Sequence, residues 1–504
     1  MIRVQDLCFR YAAASQNEGL HGVNLHISPG EVVVIVGRSG SGKTTLARAL
    51  NGLIPHYYEG EMSGCVSVEG RMLKEMEMAE ISRRVGSVFQ NPRSQFFNLD
   101  TIAEVAFGLE NYGEDVAQLR ETVAQTVREL GIESLMGCGI FELSGGQKQI
   151  IAIAAAYALG PDVFIMDEPS ANLDYEATGL LGRLVARLKE QGKTVVVSEH
   201  RTYYLESVLD RCLYLENGML TREISHDDYV NMGANERAGL GLRSLDLSRL
   251  ELPACAQAIN PPACACPLSA STLEVRDLTA RYKRHEVLHG VNLAVPSGST
   301  TCLIGRNGAG KTTLATVMCG LMRESGGAIV LGKALRPRQR VGRFYLIMQE
   351  TADQLFSDTV LGELRLSATG QYDDERLLDI LVSLSLEEFA DRHPLSLSGG
   401  QKQRLAIATA LVADAEVVVL DEPTSGLDYC GMQRVCSVIS QIKAQGGHVI
   451  VITHDYEFML QAADRVAVLE DGLIQCDVPL NAEHFDQVRA WFSLDERSPE
   501  NGND

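Results

Sequence analysis

Leu143-Ser144-Gly145-Gly146-Gln147 and Leu397-Ser398-Gly399-Gly400-Gln401 are the same five residues met twice in one chain of 504. Upstream of each stands a loop of the form G-x-x-x-x-G-K-[ST]. The first is Gly37-Arg38-Ser39-Gly40-Ser41-Gly42-Lys43-Thr44, followed by Thr45. The second is Gly305-Arg306-Asn307-Gly308-Ala309-Gly310-Lys311-Thr312, followed by Thr313. Glu31-Val-Val-Val-Ile-Val36 reads as a buried strand running into the first loop, with a helix beginning near Lys43. Ser299-Thr-Thr-Cys-Leu-Ile304 and Lys311-Thr-Thr-Leu314 repeat the pattern. Strand, glycine loop, helix is the context that makes such a motif a phosphate loop. Its backbone N–H groups converge on one anion, and the helix amino terminus adds partial positive charge. Lys43 and Lys311 are therefore expected at the outer phosphates of a nucleoside triphosphate, and Thr44 and Thr312 at its Mg²⁺.

The repeat extends beyond these two motifs. Lys43 and Lys311 lie 268 positions apart, and Gln90 and Gln349 lie 259 apart. Ser144 and Ser398 are separated by 254, as are Asp167 and Asp421, and His200 and His454. An offset held across three motifs means one domain copied within the chain. The drift is early only: the first copy has 47 residues from lysine to glutamine, the second 38.

Val163-Phe-Ile-Met-Asp167-Glu168 and Val417-Val-Val-Leu-Asp421-Glu422 are apolar runs ending in two carboxylates. A buried parallel strand presents its carboxyl end at the ligand crevice of an α/β sheet. Asp167 and Asp421 are expected to orient the Mg²⁺ shell, with Gln90 and Gln349 beside them. Glu168 and Glu422, one residue on, are expected to polarise the attacking water. His200 and His454 each follow a β-like run, 33 residues after the paired aspartate. That shared distance favours a γ-phosphate contact over a structural histidine. Tyr11 and Tyr282, 32 and 29 residues before their lysines, are expected to stack on adenine, a core position being the other reading.

At this length each copy has ample chain for its own core. The longest apolar runs, such as Ile150 to Leu159 and Leu405 to Ala413, are about half of what a bilayer span requires and read as the buried helix after each pentapeptide. Met1 to Phe9 reads as a strand, so no export signal or membrane span is expected. A net charge of −21 argues against gripping a nucleic-acid backbone. The 12 cysteines read as reduced thiols. Cys255, Cys264 and Cys266 lie in a Pro- and Ala-rich stretch; three thiols without a nearby fourth ligand fall short of a zinc pattern, and a flexible linker is favoured over metal binding or acylation. The division expected is a first domain over 1–235, a linker over 236–271, a second domain over 272–492 and a disordered acidic tail over 493–504.

This set of motifs resembles the ABC ATPase family, and the likeness covers nearly the whole chain. It implies an α/β fold of two tandem P-loop NTPase domains, each a mostly parallel sheet core with an antiparallel β subdomain and a helical signature subdomain. It also implies ATP and Mg²⁺ at two interdomain sites. Lys43, Gln90, Asp167, Glu168 and His200 would share one nucleotide with Ser398, Gly400 and Gln401. Lys311, Gln349, Asp421, Glu422 and His454 would pair with Ser144, Gly146 and Gln147. Gln90-Asn-Pro-Arg-Ser-Gln95-Phe-Phe97, followed by Glu104-Val-Ala-Phe-Gly-Leu-Glu-Asn111, resembles the ATPases of energy-coupling-factor transporters, and Gln349-Glu-Thr-Ala-Asp-Gln354-Leu-Phe356 is the second copy. That resemblance implies ATP-driven uptake of vitamins, their precursors or transition-metal ions. The partners would be a transmembrane coupling protein and a substrate-binding membrane subunit, with the chain at the cytoplasmic face of the cell membrane. Charge reversal at Glu104 or Glu363 is expected to disturb that docking.

A duplicated sugar-importer ATPase has similar length, but one copy there commonly has degraded motifs, and both are intact here. A ribosome-linked translation-factor ATPase joins its copies by a long charged arm, whereas Arg243 to Ser271 is short and poorly basic. DNA-repair relatives carry long coiled-coil or zinc inserts. Two departures bear on equivalence. Ile150 stands where the second copy has Arg404, and Ser170-Ala-Asn172-Leu-Asp174 where it has Thr424-Ser-Gly426-Leu-Asp428. With Arg404 read as a cation near phosphate, Glu168→Gln is expected to cost more turnover than Glu422→Gln.

Overall fold

Apolar β-branched runs make the two central sheets, because strands covered on both faces need no polar alternation. Val32–Gly37 is buried at every residue, and so is Thr300–Ile304. A computed structural model describes residues 1–12, 19–171, 173–253, 272–282, 285–370 and 372–492. The chain divides into two compact units, Met1–Leu247 and Ser248–Asp504.

In the first unit β1 (Ile2–Tyr11), β2 (Leu20–Ile27), β4 (Gly60–Val68) and β5 (Arg71–Met72) form an antiparallel sheet in the order β2-β1-β4-β5. Here β3 (Val32–Gly37), β6 (Val85–Val88), β7 (Val163–Asp167), β8 (Thr194–Ser198), β9 (Arg211–Glu216) and β10 (Met219–Ser225) form the core sheet. Its order is β10-β9-β3-β8-β7-β6, parallel except for the β9–β10 edge pair. The second unit repeats both sheets. β11 (Leu273–Tyr282), β12 (His285–Val295), β14 (Gly326–Leu331) and β15 (Lys333–Ala334) run β12-β11-β14-β15. β13 (Thr300–Ile304), β16 (Phe344–Ile347), β17 (Val417–Asp421), β18 (His448–Ile452), β19 (Arg465–Glu470) and β20 (Leu473–Pro479) run β16-β17-β18-β13-β19-β20.

Alternation along β3 decides what packs where. Val33 and Ile35 join Leu46 and Leu50 of the helix Lys43–Leu50, together with Ile2, Val4 and Leu7 of β1, in one core. That core seats the antiparallel sheet on the phosphate-loop helix. Leu303, Leu314, Val317, Leu273 and Val275 do the same in the second unit. The apolar runs after each pentapeptide lie in helices Gly145–Ala158 and Gly399–Val412, both largely buried. Among the described residues no helix is long and apolar enough to cross a membrane.

The expected linker start at 236 is corrected. Ala234–Leu240 is a helix, and Leu242, Arg243, Ser244 and Leu245 are buried. The Tyr214 hydroxyl donates to the Leu240 carbonyl at 2.9 Å and the Tyr229 hydroxyl to that of Arg243 at 3.0 Å. Apolar leucines at 242 and 245 give this segment a buried face, so it folds with the first unit. Cys255, Cys264, Cys266 and the tail over 493–504 lie outside the described residues.

Candidate functional site

Each phosphate loop leaves its strand through a glycine that nothing else can replace. Gly37 has φ +149°, and a Cβ there would stand 2.2 Å from the Leu215 carbonyl oxygen; at Gly305 (φ +148°) it would stand 2.0 Å from that of Leu469. Gly40 and Gly308, at φ +81° and +87°, face open space instead, with nothing within 4 Å of a Cβ built on them. An unfilled glycine cradle of this kind fits a phosphate group. Lys43 and Lys311 open their helices and are buried. The Lys43 ammonium donates to the carbonyls of Gly37 and Arg38 at 3.0 Å each; that of Lys311 donates to Gly305 and Arg306 at 2.6 and 2.8 Å. Both charges thus sit within the curve of their own loop.

The aspartates that end β7 and β17 meet these helices. The Thr44 hydroxyl donates to Asp167 at 3.3 Å and the Thr312 hydroxyl to Asp421 at 2.8 Å. Burial raises both aspartates above the ordinary carboxylate range, against the hydrogen bonds from these threonines. Among the described residues no group of three or more His, Cys, Asp or Glu is placed to hold a metal. One hydroxyl and one carboxylate per unit nevertheless suit Mg²⁺, which keeps several waters and takes further oxygens from phosphate.

Glu168 and Glu422 adopt φ +45° and +51°, a left-handed backbone that costs a non-glycine residue energy. Each N–H reaches the neighbouring strand, Glu168 to the Ser198 carbonyl at 2.8 Å and Glu422 to that of Ile452 at 2.9 Å. The Gln90 amide donates to Glu168 at 2.7 Å, which places this glutamine beside the second carboxylate of the pair. Gln349 is exposed at the matching place. His200 Nε2 lies 3.8 Å from Glu168 and His454 Nε2 3.6 Å from Glu422. Burial pushes Glu168 up to about 8, partly opposed by Lys43. Burial first, then Lys43 and Arg243, hold His200 well below the usual imidazole range.

The repeated pentapeptides are helix starts. The Ser144 hydroxyl accepts from Gln147 N–H at 3.2 Å while the Gln147 side chain accepts from Ser144 N–H at 2.9 Å. Ser398 and Gln401 make the same reciprocal cap, at 3.4 and 2.8 Å. Gly146 is where this helix meets its neighbour: a Cβ there would lie 2.8 Å from the Ala177 methyl. The tyrosines differ. Tyr11 is half-buried, takes a 3.0 Å bond from Arg48 and packs edge-on against Phe9 and Tyr58. Tyr282 is exposed at the end of β11.

Two glutamines to which the sequence reading gave no role of their own organise the site. Gln95 accepts from Phe89 N–H at 2.8 Å and donates to the Ser87 carbonyl at 2.9 Å; Gln354 does the same with Met348 and Leu346, at 2.8 and 2.7 Å. These glutamines pin the turn that carries Gln90 and Gln349. Their shared spacing after the first glutamine was the available signal. Glu104 and Glu363, expected as docking charges, are corrected. Both are buried, and each accepts two loop N–H groups, from Phe97 and Asn98 at 3.0 and 2.8 Å and from Phe356 and Ser357 at 2.8 and 2.7 Å. Arg404, expected as a cation near phosphate, is buried in its own unit; burial and Arg434 lower its pKa, and Asp428 opposes them. Ile150 is buried at the matching position.

Fold and site together define a tandem P-loop ATPase. A family model described as ABC transporter matches residues 20–171 and 288–425. The chain belongs to this family, as two ABC ATPase domains, a class that binds ATP with Mg²⁺ and hydrolyses it. It is 40% identical over 476 residues to a Treponema denticola protein provisionally named an ABC transporter ATP-binding protein, covering 94% of this chain and 96% of that one. A relative from Caldanaerobacter subterraneus with the same kind of name is 31% identical over 98% of this chain and 93% of its own. Among solved structures, the archaeal ribosome recycling factor aABCE1 in complex with stalk protein aP1 superposes with a TM-score of 0.65 at 21% identity, covering 96% of this chain and 92% of that one. RNase-L Inhibitor gives 0.63 at 21%, covering 97% and 93%. These two likenesses are of fold.

Proposed function

We propose that this chain is the ATP-hydrolysing motor subunit of a membrane importer of the energy-coupling-factor type, taking up a vitamin, a vitamin precursor or a transition-metal ion. The observation that carries this reading is a set of exposed apolar side chains, gathered beside the glutamine turn of the first unit and present again after that of the second. Phe97, Leu99 and Phe141 are 73, 73 and 82% exposed in the first unit, and Phe356 and Leu395 are 77 and 50% exposed in the second. The Ile140 N–H donates to the Leu99 carbonyl at 2.8 Å, which holds the 97–99 and 140–141 segments together. Apolar side chains gathered in this way mark an interaction surface. A transmembrane coupling protein bound to a substrate-binding subunit would cover it, placing the chain at the cytoplasmic face of the membrane. The names of its relatives support transport, and a net charge of −21 weighs against nucleic acid as a partner. The first domain ends near 247 in this reading, and the second spans 272–492.

For hydrolysis, Thr44 with Asp167, and Thr312 with Asp421, would hold Mg²⁺, which neutralises phosphate charge when bound. Lys43 and Lys311 bind the outer phosphates within the glycine cradles. In their ionised forms, Glu168 and Glu422 take a proton from water as its oxygen bonds to the terminal phosphorus and the bond to the ADP oxygen breaks. His200 and His454 contact the γ-phosphate, and Tyr11 and Tyr282 border the adenine. The test is co-purification of the chain from detergent-solubilised membranes. Hydrophobic membrane subunits are the expected companions; ribosomal subunits instead would replace the importer reading with a translational one.

A further inference from the structure

The two units fasten the same loop to the same histidine segment from opposite sides of the histidine. In the second unit the acid follows it: Asp455 accepts from the Thr424 hydroxyl at 2.9 Å, two residues beyond Glu422, and its own N–H donates to Thr453 at 3.0 Å. In the first unit the position after the histidine is Arg201, and the acid stands before it. Glu199 accepts from the Ser170 hydroxyl at 2.7 Å and the Ser170 N–H at 3.3 Å, two residues beyond Glu168. Its other oxygen accepts from the N–H groups of His200 and Arg201 at 2.7 and 3.2 Å. Arg201 closes the arrangement by donating to the Ser170 carbonyl. Ser170, Glu199, Thr424 and Asp455 are all buried.

Three of the positions that differ between the copies belong to this arrangement. Glu199, Arg201 and Tyr204 correspond, at the 254-residue offset, to Thr453, Asp455 and Phe458. The Tyr204 hydroxyl donates to Glu199 at 3.3 Å, whereas Phe458 has no hydroxyl to satisfy. A buried carboxylate and its donors must change as a set, because a donor left alone costs about 1–3 kcal/mol. The hydroxyl partner, Ser170 or Thr424, is kept in both.

We propose that Glu199 is a positioning residue for hydrolysis at the Lys43 site, fixing the loop after Glu168 against the backbone of His200, and that Asp455 holds the equivalent place at the Lys311 site. It acts through its neighbours: Glu168 sits on a strained turn whose far side is Ser170, and a turn at φ +45° keeps its aim only while its surroundings hold it. The inference rests on the ATPase reading given above.

The test is done on the full chain by steady-state ATP hydrolysis, equilibrium ATP binding and thermal melting. Glu199→Thr is expected to lower kcat about tenfold or more, on the scale at which misplaced reacting groups act, with KM for ATP changed less than about threefold. The triple variant Glu199→Thr, Arg201→Asp, Tyr204→Phe installs the second unit's arrangement and is expected to return kcat to within about threefold of the parent. A parental kcat for Glu199→Thr overturns the proposal, as does a loss that the triple does not repair. Should Glu199→Thr fail to fold, the triple decides alone: near-parental turnover supports the proposal, and an inactive or unfolded triple rejects it. A parent chain that binds ATP without hydrolysing it overturns the ATPase reading itself, which is a different result.

Discussion

The Gln90 side-chain amide donates to the Glu168 carboxylate over 2.7 Å, joining the end of β6 to the end of β7. The glutamine seven residues before the exposed Phe97 therefore touches the residue assigned as general base. Removing a general base lowers a rate about 10²- to 10⁴-fold. The double change Glu168→Gln with Glu422→Gln is expected to abolish turnover on that scale and leave ATP binding in place, because Lys43 and Lys311 are untouched. Near-normal hydrolysis by this variant would remove both glutamates from the role.

Glu168 also predicts a pH dependence of stability. Burial raises its folded pKa from 4.5 to about 8, so between these values the folded chain holds a proton that the unfolded chain has lost. That contribution to stability is full below the unfolded pKa and is lost as pH rises through the folded one. Melting measured with EDTA and no nucleotide should fall across this window, and Glu168→Gln, neutral throughout, should fall less steeply. Parallel curves for the two proteins would reject the raised pKa.

The sheets and the phosphate loops were legible because their signals are local. A run such as Val32 to Val36 has few alternatives to a buried strand, and Gly37 announces the turn that ends it. The duplication supplied a second copy of every motif, so chance matches fell away. What escaped were contacts between distant segments. Glu104 and Glu363 look like surface acids on a helix, yet each closes a loop six or seven residues earlier. Glu199 hides beside a conspicuous histidine, and its partner Ser170 lies 29 residues away. The segment after 235 read as linker because leucines at 242 and 245 are too sparse to announce a buried face.

The corrected place of Glu104 and Glu363 changes how docking is tested. Glu104→Lys should destabilise the first unit by about 1–3 kcal/mol, since the N–H groups of Phe97 and Asn98 lose their acceptor. It reports on folding, not on partners. Phe97→Ser with Phe141→Ser removes two exposed rings and touches no group of the nucleotide site. Buried aromatic anchors contribute about 2 kcal/mol or more to an interface. The double variant should therefore lose its membrane partners in co-purification while its own ATPase rate stays within about twofold. Unchanged assembly would place the docking surface elsewhere.

The unequal signatures lead to the last expectation. Arg404 was read as a cation helping the site built on Lys43, with Ile150 as its weaker counterpart. Arg404 is buried, at 7% exposure, and its Nε has no hydrogen-bond partner among the described residues. Replacing a buried charge by an apolar side chain is often neutral or stabilising. The first unit carries that experiment already, since Ile150 is buried at the same place on its helix. Arg404→Ile should thus keep the ATPase rate within about twofold and shift stability by about 1 kcal/mol or less. A large loss of turnover with unchanged melting would return the cation to a role at the phosphates, and with it the expectation that Glu168→Gln costs more than Glu422→Gln. Near-parental behaviour leaves any inequality between the sites to the differing acids around His200 and His454.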